Sequence, residues 1–173
     1  MVAINSLILL AATATAAVIP RDAAQVQSDL NTINADTQKL TSDVNAYSGG
    51  LFGALPSQND ESQLDKDIKS ATDDANNSAA VSDSEAQSII SYIKNTLEPN
   101  IEKALTALKS KKSQFASAGL QNTVLQDLKD LKTDTDALGS ALLAKAPSGE
   151  QASGQAVVNE IDADFNDAIQ YFS

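Results

Sequence analysis

Apolar residues in this chain recur alternately three and four positions apart, and almost everything between them is small, acidic or hydroxylated. The longest run is Val26, Leu30, Ile33, Thr37, Leu40, Val44 and Tyr47, one stripe along a helix about 33 Å long at 1.5 Å per residue. Val124, Leu128, Leu131, Thr135, Leu138 and Leu142 form a second. Such a stripe leaves water only by facing another stripe. The chain is therefore expected to be all-α, an up-and-down bundle of five to six amphipathic helices with an apolar interior.

Turn and cap residues divide the pattern. A first helix is expected over 22–47, stopped by Ser48, Gly49 and Gly50,. A second, over 60–77, carries Leu64, Ile68, Ala71 and Ala75, a stripe that dwindles from large to small. A third starts at a capping box, Ser82 with Glu85, and shows Ala86, Ile89, Ile90, Ile93 and Leu97,. Pro99 then kinks that helix or opens a fourth, which carries Ile101, Leu105, Leu108, Lys112 and Phe115 and closes at Gly119,. A fifth spans 121–144. Ser148 and Gln151 stand where they could cap a sixth, with Val158, Ile161, Phe165, Ala168, Ile169 and Phe172. The loop between the first two helices holds Leu51, Phe52 and Leu55, where water-facing side chains are the rule. Those three either plug the end of the bundle or form a lid or adhesive tip.

Residues 1–17 join an apolar run to small residues ending in Ala16 and Ala17, as expected of a secretory leader, although no Lys or Arg precedes the run,. Its apolar core is too short for a membrane span. Val18, Ile19, Pro20 and Arg21 read as a short propeptide-like segment, leaving a single domain over 22–173 and placing the protein outside the cell or in its wall. Residues 164–173 alternate polar with apolar side chains, so a glycolipid anchor is not expected,. A monomer is expected.

The sequence lacks cysteine, histidine and tryptophan. Without cysteine, stability must come from helix packing, and without either thiol or imidazole the common zinc, copper and haem sites cannot form. No cofactor or metal is expected. A net charge of −11 repels nucleic acid and anionic bilayers. Short matches to catalytic motifs fail in context. Ser91 and Lys94 give S-x-x-K without its companion elements,. Asp162, Asp164 and Asn166 begin a calcium loop in which Asp167 replaces the required glycine,. Asp73 and Asp74 lack aromatic platforms for a sugar. This composition points to binding, not catalysis. Asn76, before Asn77 and Ser78, is the sole glycosylation sequon,.

A set of short patterns carries a family likeness: Pro20 and Arg21 before the first helix; Val44, Asn45, Ala46, Tyr47, Ser48, Gly49 and Gly50 at its exit; residues 93–101 through Leu97 and Pro99; Lys111, Lys112 and Phe115 before Gly119; and Phe165, Ala168 and Ile169 near the end. Across the mature chain this arrangement resembles the fungal hydrophobic-surface-binding protein A family, which includes the cell-wall galactomannoprotein antigens. The resemblance implies a secreted helical domain that holds fatty acids or other lipids between its helices. The alternative it implies is a protein that adsorbs to hydrophobic surfaces and assists a secreted hydrolase there, without a defined pocket.

Small residues at inward positions, among them Thr37, Ala71, Ala75, Thr135 and Ala168, leave two packings open. The helices either close tightly over them or keep a cavity. For the cavity, the candidate ligand-facing residues are Thr37, Leu40 and Val44 of the first helix, Leu51, Phe52 and Leu55 of the loop, and Ile68 of the second helix. To these are added Leu105, Leu108, Lys112 and Phe115, then Leu128, Leu131, Thr135 and Leu138, and finally Ile161, Phe165 and Ile169. Lys112 is the candidate partner for a carboxylate head, with a stem that snorkels to water as the alternative.

Overall fold

The computed structural model describes residues 21–173. The leader expected over 1–17 lies outside the described residues, as does all of the 18–21 segment except Arg21. Helix α1 (Arg21–Ala46) buries every member of its stripe, from Val26 to Val44, Thr37 included, and Tyr47 is buried just past its end. Gly49 (φ 119°) and Gly50 (φ 81°) reverse the chain in a backbone region that only glycine enters freely,. A single 3₁₀ turn (Phe52–Ala54) then runs straight into α2 (Leu55–Asn77). This start is earlier than the expected one at 60, because Pro56 sits in the first turn, where its missing N–H is not needed,.

Ser82 caps α3 (Asp83–Tyr92) as expected: its hydroxyl accepts from the Glu85 amide at 3.4 Å, and its own amide donates to the Glu85 carboxylate at 2.8 Å. Pro99 does not break the chain of helical turns. The residues Ile93–Leu97 form a π turn in which the Glu98 amide reaches back five residues to the Ile93 carbonyl. That widening accommodates a ring that would crowd the preceding turn. Helix α4 (Glu98–Ser110) continues from it, and a break at Lys111 (φ −101°, ψ 6°) separates the short α5 (Lys112–Ser117). Gly119 (φ 74°) turns the chain into α6 (Gln121–Lys145), and α7 (Gln151–Phe172) ends the fold. Glu150, not Ser148, stands at the start of α7, and no side chain caps it. Instead Gln87 of α3 donates to Glu150 at 2.7 Å.

The five long rods run up and down in chain order but close in a different order. Helix α1 packs on α2 and α4, α2 on α6, α6 on α7, and α7 back on α4. Five rods in a ring at 8–10 Å between neighbours place each axis roughly 7–8.5 Å from the centre. A helix with its side chains is about 5–6 Å in radius. Twice the difference, roughly 2–7 Å across, brackets the width of an alkyl chain, so a five-membered ring holds space that a tighter bundle would not. Ion pairs clip the ring from outside: Lys39 of α1 to Asp60 of α2, Lys109 of α4 to Asp167 of α7 at 2.6 Å, and Lys132 of α6 to Asp162 of α7.

Candidate functional site

The stripes meet around an internal cavity of about 120 Å³. Interiors normally leave few voids larger than a water molecule, and this one approaches the roughly 150 Å³ apolar cavity that stays dry and takes up benzene. On that comparison the space as it stands has room for about five or six carbons, so a longer chain must widen it or reach beyond it. All five long rods contribute to its wall: Ile33 and Leu40 from α1, Leu64 and Ile68 from α2, Ile101 and Leu105 from α4, Leu131 and Leu138 from α6, and Ile161 and Phe165 from α7. Helix α3 and the π turn add Ile89, Ile90, Ile93 and Leu97 at one end.

Two helical glycines shape that end. A Cβ on Gly139 would stand 3.0 Å from Val158, and one on Gly154 would stand 2.9 Å from Leu143 and 3.7 Å from Ile90. Both let α6 and α7 approach closely beside the void. A second chamber of about 40 Å³ lies at the opposite end, under Val44, Ala54, Phe115 and Leu120. Leu40, Leu108, Leu128 and Leu131 line both spaces, so these four side chains are the partition between them.

Eleven of the residues singled out in the sequence border the main cavity: Thr37, Leu40, Ile68, Leu105, Leu108, Leu128, Leu131, Thr135, Leu138, Ile161 and Phe165. Val44 and Phe115 border the second chamber. The other five lie elsewhere. Ile169 is half-buried against the core, outside both spaces. Leu51, Phe52 and Leu55 are exposed and plug nothing, because the turn at Gly49 and Gly50 and the 3₁₀ turn direct them outward.

Lys112 also faces away from the cavity. The break at Lys111 shifts its phase, so its ammonium donates to the Tyr171 carbonyl at the end of α7 and lies 4.9 Å from the Tyr171 ring centre. A cation at a helix C-terminus is favourably placed against the last carbonyls.

The base that does border the cavity is Lys145, at the end of α6. Its Nζ donates to the Asn76 and Ser78 carbonyls at 2.9 and 2.7 Å, which leaves a third N–H uncommitted in those bonds. The sequence offered one signal for it, a lysine in the last turn of a helix. The lining hydroxyls of Thr37 and Ser78 are already donated to the Ile33 and Ala75 carbonyls at 2.7 and 2.9 Å. Asn76 itself is exposed in the last turn of α2.

Carboxylates line the outer seams. Burial and then the adjoining Asp67 carboxyl raise Asp36 to about 6. Beside the second chamber, burial and then Asp127 raise Glu61 to about 7, and burial followed by Asp130 raises Asp127 to about 6. Among the described residues no group of three acids could hold a metal ion, and no helix is long and apolar enough to cross a membrane.

A helical ring around an apolar internal space defines a class of helical proteins built around an apolar interior. Residues 23–144 match the model for hydrophobic surface binding protein A, and the chain belongs to that family. Cell wall mannoprotein 1 of Aspergillus fumigatus is 33% identical over 139 residues, which are 80% of this chain and 48% of that protein, so the chain spans about half of that relative's length. The crystal structure of Afmp4p in complex with palmitic acid superposes with a TM-score of 0.84 at 39% identity, covering 87% of this chain and 99% of the other. Ligand binding domain 1 of the Penicillium marneffei MP1 protein, complexed with arachidonic acids, shares the fold at a TM-score of 0.83 and 20% identity, over 88% of this chain and 99% of that one.

Proposed function

We propose that this protein binds a long-chain fatty acid inside its helical ring, with the hydrocarbon in the main cavity and the carboxylate toward Lys145. The observation that carries the reading is the cavity of about 120 Å³ with an almost wholly apolar wall. Burying about ten methylenes contributes about 8 kcal/mol gross, and lost freedom of the ligand offsets several of these. What remains falls short of the about 8 kcal/mol that micromolar affinity requires, so the tail beyond ten methylenes and the head-group bond supply the rest, with loose selection for chain length. A tail longer than the main cavity needs the second chamber, reached when Leu40, Leu108, Leu128 and Leu131 change rotamer. The palmitic acid complex of the 39% identical Afmp4p supports the choice of ligand. A local cation is needed for a carboxylate in a chain of net charge −11, and Lys145 meets that need.

The same reading makes 22–173 the working domain of a non-catalytic monomer outside the cell or in its wall, after a leader at 1–17 and a processed segment at 18–21, with a glycan on Asn76. The cell wall mannoprotein relative supports this setting. A second reading draws on the family's description: the bundle adsorbs to a hydrophobic surface, where it recruits a secreted hydrolase.

Titration of delipidated protein with palmitate in detergent-free buffer separates the two. Saturable one-to-one binding is expected, and uptake that rises without saturation favours adsorption. Lys145→Gln is expected to weaken palmitate about tenfold while leaving hexadecanol unchanged, since a charge-assisted hydrogen bond is worth about 1.5 kcal/mol. Equal losses for acid and alcohol would remove Lys145 from the head-group site.

A further inference from the structure

The two longest uncharged stretches among the described residues, 44–59 and 113–126, come together at one end of the ring. Tyr47 stacks on Phe115 with centroids 4.8 Å apart, and its hydroxyl donates to the Gly50 carbonyl at 3.2 Å. From this end project Leu51, Phe52 and Leu55, which are 58%, 84% and 48% exposed, with Tyr171 at 49% nearby on the end of α7. The second chamber lies directly beneath, walled by Ala54 of the same turn and by Phe115. We infer that this end docks on an uncharged lipid bilayer and that ligand passes between the bilayer and the second chamber, an inference whose transfer step rests on the fatty-acid reading above.

Three observations select that occupant. The tip is a few convex side chains, far short of the roughly 800 Å² per partner that a stable protein interface needs. A bilayer requires no such area, because each apolar side chain inserts on its own. Charge selects the kind of bilayer. A chain of net charge −11 is repelled by anionic lipid,, whereas 44–59 and 113–126, which carry no charged residue, meet a zwitterionic surface without opposition. Lys111 and Lys112 at the rim are turned onto backbone carbonyls, Lys111 onto those of Asn45 and Tyr47 at 2.8 Å each. Tyr171, apolar in its ring and polar at its hydroxyl, suits the headgroup boundary. The third observation is continuity: the main cavity and the chamber under the tip share the four-leucine partition, so a fatty acid entering head first at the tip, with its carboxyl protonated, meets an apolar path through the ring toward Lys145.

The test is flotation of the purified protein with phosphatidylcholine vesicles, alongside transfer of fluorescent palmitate from those vesicles. Wild type is expected to float, and the Leu51→Ser/Phe52→Ser double variant to lose partitioning by about tenfold for each residue. Transfer to wild type should accelerate with vesicle concentration, and transfer to the variant should not. Affinity for palmitate in vesicle-free buffer should be the same for both, because neither side chain borders the cavity or the chamber. Equal flotation of both proteins overturns the inference. So does wild type that stays with the soluble fraction, or a wild-type dimer in sedimentation velocity that the variant disperses, which would make a second copy the occupant. Flotation with no palmitate binding in buffer keeps the docking face and overturns the transfer step together with the fatty-acid reading.

Discussion

Replacing Ala104 with leucine tests whether the space inside the ring is empty. Ala104 lies in the middle of α4, is buried and borders the main cavity. The substitution adds three carbons, and at about 0.8 kcal/mol per methylene their burial contributes about 2.4 kcal/mol. Ordering the leucine side chain offsets about 0.5–1 kcal/mol of this, leaving a net gain of about 1.5 kcal/mol. For a domain of this size that is a rise in Tm of about 3–6 °C for the delipidated protein, read by circular dichroism or calorimetry. The same three carbons take the place of about three methylenes of ligand. Palmitate should lose the matching 2.4 kcal/mol, about a fiftyfold increase in Kd. Stability and affinity therefore move in opposite directions. A filled interior reverses the first sign, since overpacking lowers stability by about 1–3 kcal/mol. A lower Tm with unchanged palmitate affinity would refute the cavity.

Two further predictions concern the frame around the site. The pKa values of Asp36, Glu61 and Asp127 are raised to about 6, 7 and 6 from ordinary values of 3.8, 4.5 and 3.8. The folded protein thus keeps protons that the unfolded chain has released between about pH 4 and pH 7. Stability should fall as pH rises through that window, with a higher Tm at pH 5 than at pH 7.5. Glu61→Gln with Asp127→Asn should flatten the profile, and an unchanged slope would contradict the assignment. The two cavity-side glycines should respond differently to alanine. At Gly139 the Cβ meets the stiff branched side chain of Val158 at 3.0 Å, so stability should drop despite a helix-propensity gain of about 1 kcal/mol. At Gly154 the Cβ meets the movable end of Leu143, so the gain and the clash should nearly cancel. Denaturant midpoints that order the variants the other way would sink this account of the α6 and α7 approach.

The spacing of apolar residues carried most of the fold, because a stripe states which way a helix faces whatever it packs against. All the stripe residues of α1 and of α2 are buried as their period requires. The same reasoning failed where the helix itself was interrupted. Lys112 is in phase with Leu105 and Leu108 only if the helix runs unbroken, and the turn at Lys111 rotates it out to the end of α7. Pro99 was legible as a disturbance, but whether it breaks a helix or widens one turn depends on what Ile93 and Leu97 pack against. The cavity's size was not legible at all. It arises from five rods closing α1 onto α4 instead of filling the centre, a long-range outcome that no local pattern encodes. Lys145 belongs to the same group, since it borders the cavity only because α6 ends beside the last turn of α2.

A hydrocarbon chain inside the ring lies within reach of methyl groups on several helices at once. Nuclear Overhauser contacts between ¹³C-labelled palmitate and the methyl groups of the protein test it directly. A bound chain should give contacts to Ile33, Leu105, Leu131 and Ile161, which face the main cavity from four different helices. Contacts confined to the exposed Leu51 and Leu55 would contradict it and leave surface adsorption as the function.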